Sequence, residues 1–183
     1  MADLFTGDYL SDLSILLEEI KDIRYIGSTD RRKIGKINKK SFSVLYGLTY
    51  KKPPNIYKKK DADSNYYHSV CRTEYPHLLE FFIQFSRQHF PGLLWDSVQI
   101  NMNFKCLKHR DKKNNGRSAL VTLGDFEGGK TLIEIKDTIL KLDGRDFPII
   151  FNGNKYYHWV EDYTGVRYSL VFFQNFTNKK KYI

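Results

Sequence analysis

The sequence predicts a mainly β domain with flanking helices, of the α+β class, and three observations carry that prediction. Up to about Trp95 the long apolar stripes have helical spacing, whereas beyond it the pattern shifts to short strand-like runs. Those runs are separated by turn sequences: Asn114-Asn115-Gly116, Glu127-Gly128-Gly129, Asp143-Gly144, Asn152-Gly153-Asn154 and Thr164-Gly165. The chain has 183 residues, enough for one domain with a core of its own. Short strands punctuated this regularly argue for a sandwich or barrel.

An opening helix is expected from about Ser11 to Lys21, capped by Ser11 or Asp8, with Leu13, Leu16, Leu17 and Ile20 on one face. Phe42 to Tyr46 has strand character, and the lysine-rich stretch from Ile56 to Tyr67 reads as a loop. A second helix is expected from about Glu74 to His89, with Thr73 as N-cap, Pro76 in its first turn, and Pro91-Gly92 ending it. Strands are then expected at 98–104, 119–123, 131–135, 139–142, 148–151, 156–160 and 168–173.

Two cysteines, Cys71 and Cys106, exclude a disulfide scaffold and any zinc site built on CxxC pairs. Free thiols fit an intracellular, reducing compartment, cytoplasm or nucleus, including that of a host cell if the protein is viral. The start, MADLFTGDYL, has neither the basic opening nor the apolar stretch of a secretory signal, and no run approaches the roughly 18 apolar residues of a membrane span. The formal net charge of +9 is local: residues 21 to 60 hold 13 basic residues against Asp22 and Asp30, a net +11. A field confined in this way suits a polyanionic partner. Arg24, Arg31, Arg32, Lys33, Lys36, Lys39 and Lys40 are interleaved there with Tyr25, Phe42, Tyr46, Tyr50 and Tyr57. Cations of this kind neutralise phosphates and exposed rings stack on bases, although a solvated lysine-rich surface around structural tyrosines has the same composition.

Chemistry-bearing residues lie in the strand region. His109 and Asp111 form an H-x-D pair, and His158 follows in the sixth run. Two imidazoles and a carboxylate can occupy one face of an octahedral Fe(II), leaving three positions for a bidentate co-substrate and oxygen. The pair alone is weak, since a loop histidine or a member of the Tyr156-Tyr157-Trp159 aromatic cluster would read the same way. Arg167 strengthens it. It shares a strand face with Ser169 in an otherwise apolar run, and a strand rarely turns a guanidinium inward without an anion for its planar fork.

The stretch from about Val98 to Phe173, with H-x-D, a later His and then R-x-S, resembles the Fe(II)/2-oxoglutarate-dependent dioxygenases, most of all the TET/JBP and AlkB-type nucleobase oxygenases. The resemblance implies a double-stranded β-helix, or jelly roll, over residues 95–176. It implies that His109, Asp111 and His158 bind Fe(II) and carry catalysis, and that Arg167 and Ser169 hold the distal carboxylate of 2-oxoglutarate, with O2 as oxidant and ascorbate as an auxiliary reductant. Gln99-Ile100-Asn101-Met102-Asn103-Phe104 looks like the first core strand of AlkB-type enzymes, N-x-Y, with Asn103 in place of the Tyr. Asn101 and Asn103 would then share a face and reach the co-substrate.

Residues His109 to Ser118 followed by Val121-Thr122-Leu123 are similar to the TET/JBP pattern H-x-D-x-x-N, which implies a base contact for Asn114, although Asn114-Asn115-Gly116 is also simply a good turn. Gly165-Val166-Arg167-Tyr168-Ser169-Leu170 equally resembles the ending of prolyl- and lysyl-hydroxylase relatives. Collagen-type prolyl hydroxylases usually carry Lys at the position of Arg167, which argues mildly against that subgroup. A second basic cluster, Lys105, Lys108, Arg110, Lys112, Lys113 and Arg117, flanks the expected metal site. The expectation is therefore one domain, residues 1–183. Residues 1–94 would supply helices packed outside the larger sheet and a basic lid in which Arg31, Arg32 and Lys33, with Arg110 and Asn114 from the core, meet substrate. The expected reaction is C–H hydroxylation of a nucleobase, a methylated pyrimidine in DNA or RNA, with release of succinate and CO2. The alternatives are a protein side-chain hydroxylase and a nucleic-acid-binding module without chemistry. No membrane and no stable protein partner are expected.

Overall fold

The computed structural model describes residues 3–23, 35–36, 41–49, 58–60 and 66–175. Its elements are α1 (Tyr9–Ile20), β1 (Gly35–Lys36), β2 (Phe42–Thr49), β3 (Tyr67–His68), α2 (Val70–Glu74), α3 (Leu78–His89), β4 (Ser97–Met102), β5 (Lys105–Cys106), β6 (Asn115–Leu123), β7 (Phe126–Gly128), β8 (Thr131–Ile135), β9 (Thr138–Leu142), β10 (Ile149–Phe151), β11 (Tyr157–Val160), β12 (Tyr163–Gly165) and β13 (Tyr168–Gln174). All named strand pairs are antiparallel.

Asp8 is the cap of α1: its carboxylate accepts from the Ser11 N–H at 2.8 Å. The second helix expected over 74–89 starts later, as α3, and a short α2 precedes it. Ser69 caps α2 by accepting from the Arg72 N–H, so Thr73 lies inside that helix, and the chain breaks at Tyr75 before α3 begins. Pro76 is the cause, because its ring disfavours the helical conformation for the residue before it, and Tyr75 sits at φ −121°, ψ 60°.

The larger sheet has the order β10-β6-β13-β4-β2-β3. Strand alternation gives it two chemically different faces. Val44, Tyr46, Val98, Ile100, Val121, Leu170 and Phe172 pack with Leu16 and Ile20 of α1 and Phe82 and Phe85 of α3 in the main core, so the helices do cover this sheet from outside. The residues between them, Ser43, Gln99, Asn101 and Ser169, are equally buried but face the other way. The second layer is formed by β11-β8-β9 and β12-β7. It meets the larger sheet through a smaller apolar cluster in which Ile133 of β8 joins Leu120, Ile149 and Phe151. The antiparallel two-layer β architecture is the expected jelly roll.

Strand β2 lies in the window expected to cover the open end, yet it is a full sheet member, paired with β4 from Phe42↔Met102 to Gly47↔Ser97. Arg24, Arg31, Arg32, Lys33, Lys39, Lys40 and the tail Lys179-Lys180-Lys181 lie outside the described residues. Among the described residues no helix is long and apolar enough to cross a membrane.

Candidate metal and co-substrate site

His109 and His158 are brought together by backbone hydrogen bonding. They face each other in an antiparallel bridge, with the His109 N–H donating to the His158 carbonyl at 3.1 Å and the reverse bond at 3.0 Å. Both rings therefore leave the sheet on one side, their centroids 4.3 Å apart. Asp111 reaches the same point because its N–H bonds the Gly153 carbonyl at 2.8 Å. Its Oδ1 lies 3.5 Å from His109 Nε2 and its Oδ2 lies 3.4 Å from His158 Nε2, and all three donor atoms fall within 4.8 Å of one another.

The tautomers follow from the outer contacts. His109 Nδ1 meets the Leu107 carbonyl at 2.6 Å and His158 Nδ1 meets the Tyr156 carbonyl at 3.2 Å. A carbonyl can only accept, so each Nδ1 carries a proton; each Nε2 faces the shared centre, where it would give its lone pair to a metal or, when protonated, donate to Asp111. Burial pushes the Asp111 carboxyl up, but hydrogen bonding and charge attraction from His109 and His158 outweigh it and hold the group well below the usual carboxylate range. A set of two neutral imidazole nitrogens and one carboxylate oxygen is a facial donor set for a divalent metal, with spacings a little wider than the roughly 3 Å edge of an octahedron with bonds of about 2.1 Å. The edge of the Phe151 ring closes one side of His158, at 4.9 Å between centroids.

A cavity of about 300 Å³ opens beside the triad, lined by Gln99, Asn101, Thr131 and Ser169 among others. Arg167, immediately before β13 and two residues from Ser169, is 2% exposed. Its Nε donates to the Gly129 carbonyl at 3.1 Å, and its guanidinium lies over the rings of Phe126 and Tyr163 at 5.5 and 5.7 Å. Its Nη2 is buried with no partner among the described residues, as is the Thr131 hydroxyl at the cavity wall. Burial pushes the guanidinium pKa down, yet an arginine remains charged. A buried charged donor without an acceptor costs free energy unless a ligand supplies the acceptor, so this chain's own residues fit a carboxylate.

Asn101 lies on the cavity face and donates through Nδ2 to Ser169 Oγ at 3.1 Å. Asn103 does not share that face. The strand ends at Met102, Asn103 turns into the left-handed region at φ 49°, and its carboxamide oxygen accepts the Arg167 N–H at 2.9 Å. It ties the end of β4 to the approach of β13 and does not line the cavity. Asn114 does line it, and its N–H bonds the Asp111 carbonyl at 2.9 Å. The turn expected at Asn114-Asn115-Gly116 is displaced to Lys112-Lys113, with Asn115 and Gly116 already in β6. Arg110 is exposed, its guanidinium 4.9 Å above the Tyr157 ring.

Sequence reasoning missed two glycines. A Cβ at Gly153 would stand 2.9 Å from Asp111 Oδ2, and a Cβ at Gly129 would stand 3.0 Å from Arg167 Nε. Both belong to turns recognised only as punctuation. Their signal was position, one just before the strand of His158 and the other just before β8.

No family model and no curated relative matches the sequence. Solved structures do match in shape. NgTET1 in complex with 5mC DNA aligns over 99% of this chain and 73% of its own, with a TM-score of 0.55 and 16% identity. A 2OG-Fe(II) oxygenase family oxidoreductase from Burkholderia pseudomallei aligns over 98% of this chain and 99% of its own, with a TM-score of 0.50 and 15% identity. The chain has the fold of the 2OG-Fe(II) oxygenases. A prolyl-4-hydroxylase from Pseudomonas putida covers 96% of this chain and 91% of its own at a TM-score of 0.49 and 14% identity.

Proposed function

We propose that this chain is an Fe(II)/2-oxoglutarate-dependent dioxygenase that hydroxylates a C–H bond of a nucleobase, a methylated pyrimidine in DNA or RNA. The observation that carries the reading is the combination of a convergent His-Asp-His donor set lining the cavity with a buried guanidinium, two residues from the cavity-lining Ser169, whose Nη2 has no partner among the described residues. His109, Asp111 and His158 would hold the iron. Arg167, with Ser169, would bind the distal carboxylate of 2-oxoglutarate through its fork. Iron held there would, with 2-oxoglutarate and O2, supply the oxidation in which one oxygen atom enters the substrate C–H and the other enters succinate, with loss of CO2. The protein's part is orientation and exclusion of water: apolar Leu120, Phe151 and Val171 line the cavity between its polar walls.

For the nucleobase, the support is electrostatic and positional. The +11 window is joined to the site by the pairing of Gly35 with Cys106 and of Lys36 with Lys105, and Cys106 lines the cavity. Arg110, Lys112, Lys113 and Arg117 lie within eight residues of His109 in the sequence. The likeness to a TET protein bound to 5mC DNA agrees with this. Asn114, lining the cavity beside Asp111, is the residue assigned to a base edge. The test is succinate release with Fe(II), ascorbate and 2-oxoglutarate over a panel of methylated oligonucleotides and peptides. Stimulation by an oligonucleotide is expected, with affinity falling by a slope of about −0.7 to −0.9 per phosphate contact in log[salt]. Salt-insensitive stimulation by a peptide alone would overturn the nucleobase reading and leave the dioxygenase one standing.

A further inference from the structure

Four buried side chains on the inner face of the larger sheet form one directed chain of hydrogen bonds, and two of them, Gln99 and Ser43, have no role so far. Ser43, Asn101 and Ser169 are cross-strand neighbours in register, on β2, β4 and β13. Gln99 Nε2 donates to Ser43 Oγ at 3.0 Å, Ser43 Oγ donates to Asn101 Oδ1 at 2.6 Å, and Asn101 Nδ2 donates to Ser169 Oγ at 3.1 Å.

The direction follows from the orientation of the Asn101 carboxamide, whose oxygen faces Ser43 and whose NH2 faces Ser169. Asn101 Oδ1 can only accept, so Ser43 gives it its one hydroxyl hydrogen, and the NH2 donates to Ser169. Ser169 Oγ is then an acceptor on the sheet side, and its own hydrogen is left for an acceptor on the cavity side. Each bond in such a chain polarises the next. The result is a wall that offers a donor two residues from Arg167, where a carboxylate would sit.

We propose that Ser43 is a positioning residue that sets the direction of this chain, and that the direction makes the cavity select an anionic carboxylate through the Ser169 hydroxyl. The inference rests on the dioxygenase reading for the identity of that carboxylate, the distal group of 2-oxoglutarate. It also changes the role of Asn101, which orients Ser169 and need not touch the ligand. Ser43 lies in the basic N-terminal window, 66 residues before His109 of the H-x-D motif, so no motif spacing points to it.

The experiment is calorimetric titration of 2-oxoglutarate into the full chain loaded with Mn(II), with Mn(II) affinity measured separately for each variant. Ser43→Ala should weaken 2-oxoglutarate binding about tenfold, Ser43→Thr should stay within about twofold of the parent because it keeps the hydroxyl, and Mn(II) affinity should not change in either. Asn101→Asp, nearly isosteric, should weaken binding about a hundredfold or more, since its carboxylate would capture the Ser169 hydrogen and repel the anion. A merely structural role for Ser43 would lower the melting temperature and leave 2-oxoglutarate affinity untouched. Parent-like 2-oxoglutarate affinity in Ser43→Ala, or in Asn101→Asp should Ser43→Ala fail to fold, would overturn the proposal and leave the dioxygenase reading intact. Absence of 2-oxoglutarate binding by the Mn(II)-loaded parent chain would overturn both.

Discussion

The two faces of the larger sheet are built from the same strands and are buried alike, but they use burial differently. On the helix side, Val98, Ile100, Leu170 and Phe172 are apolar and none is exposed, and Phe172 meets Phe82, Phe90 and Trp95 edge to face at 5.0 to 5.6 Å. On the cavity side, one residue away in sequence, are Ser169, Asn101 and Gln99, with Arg167 immediately before β13. The first face is satisfied by the chain itself. Around the second, Arg167 Nη2, Thr122 Oγ1 and, in the opposite layer, Thr131 Oγ1 are buried without a hydrogen-bond partner among the described residues. Stability and ligand recognition are thus separated by the two-residue period of the strand, and substitutions on the two faces should fail in different ways.

The largest separation is expected at Asp111. Asp111→Ala removes the carboxylate donor and should abolish 2-oxoglutarate turnover, a loss of at least about a thousandfold, while leaving the thermal midpoint within a few degrees because Asp111 is outside both apolar clusters. Turnover assays and differential scanning calorimetry on the same samples check both halves. Phe172→Ala should do the opposite. Emptying a fully buried aromatic position costs about 3–5 kcal/mol and should lower the melting temperature by roughly 10 °C. The chain that remains folded should keep parental affinity for 2-oxoglutarate, and a loss of affinity greater than that of stability would break the separation.

A smaller effect is expected at Asp12, fully buried at the start of the helix layer. Burial raises its carboxyl pKa, but bonds from the Thr6 N–H and hydroxyl, His89 and the Gly7 N–H outweigh it and hold the group below its ordinary value of 3.8. A folded-state pKa below the unfolded one contributes stability that is present above about pH 4 and lost as the pH falls through the folded value. Asp12→Asn should flatten the acid limb of the stability profile, by about 1–3 kcal/mol at neutral pH, with no change in metal binding. A profile with the parent's acid limb would show that the helix layer does not depend on this carboxylate.

The strands β4, β6, β8, β9, β10, β11 and β13 were legible because alternation and turn residues report directly on a sheet face. Arg167 and Ser169 stood out for the same reason, as polar residues in an apolar run. The strands β1, β3, β5, β7 and β12 were not legible, since two or three residues carry no period and their pairing is a tertiary fact. The break between α2 and α3 was legible in principle at Tyr75-Pro76 and was misread as a first-turn proline. Asn103 was assigned to the cavity by alternation, which ceased to apply once the chain left the strand at Met102. Gly153 and Ser43 owe their importance to what lies across from them, Asp111 and Asn101, and no local pattern encodes that.

Whether the triad and Arg167 form one ligand site is read from anaerobic titration of 2-oxoglutarate into the chain with and without Fe(II). One equivalent should bind per chain, tightly only when Fe(II) is present, with binding weakened about tenfold to a hundredfold in Arg167→Ala and restored only in part in Arg167→Lys, because an ammonium cannot reproduce the bidentate fork. Binding of equal strength without metal, or unchanged binding in Arg167→Ala, would contradict one shared site.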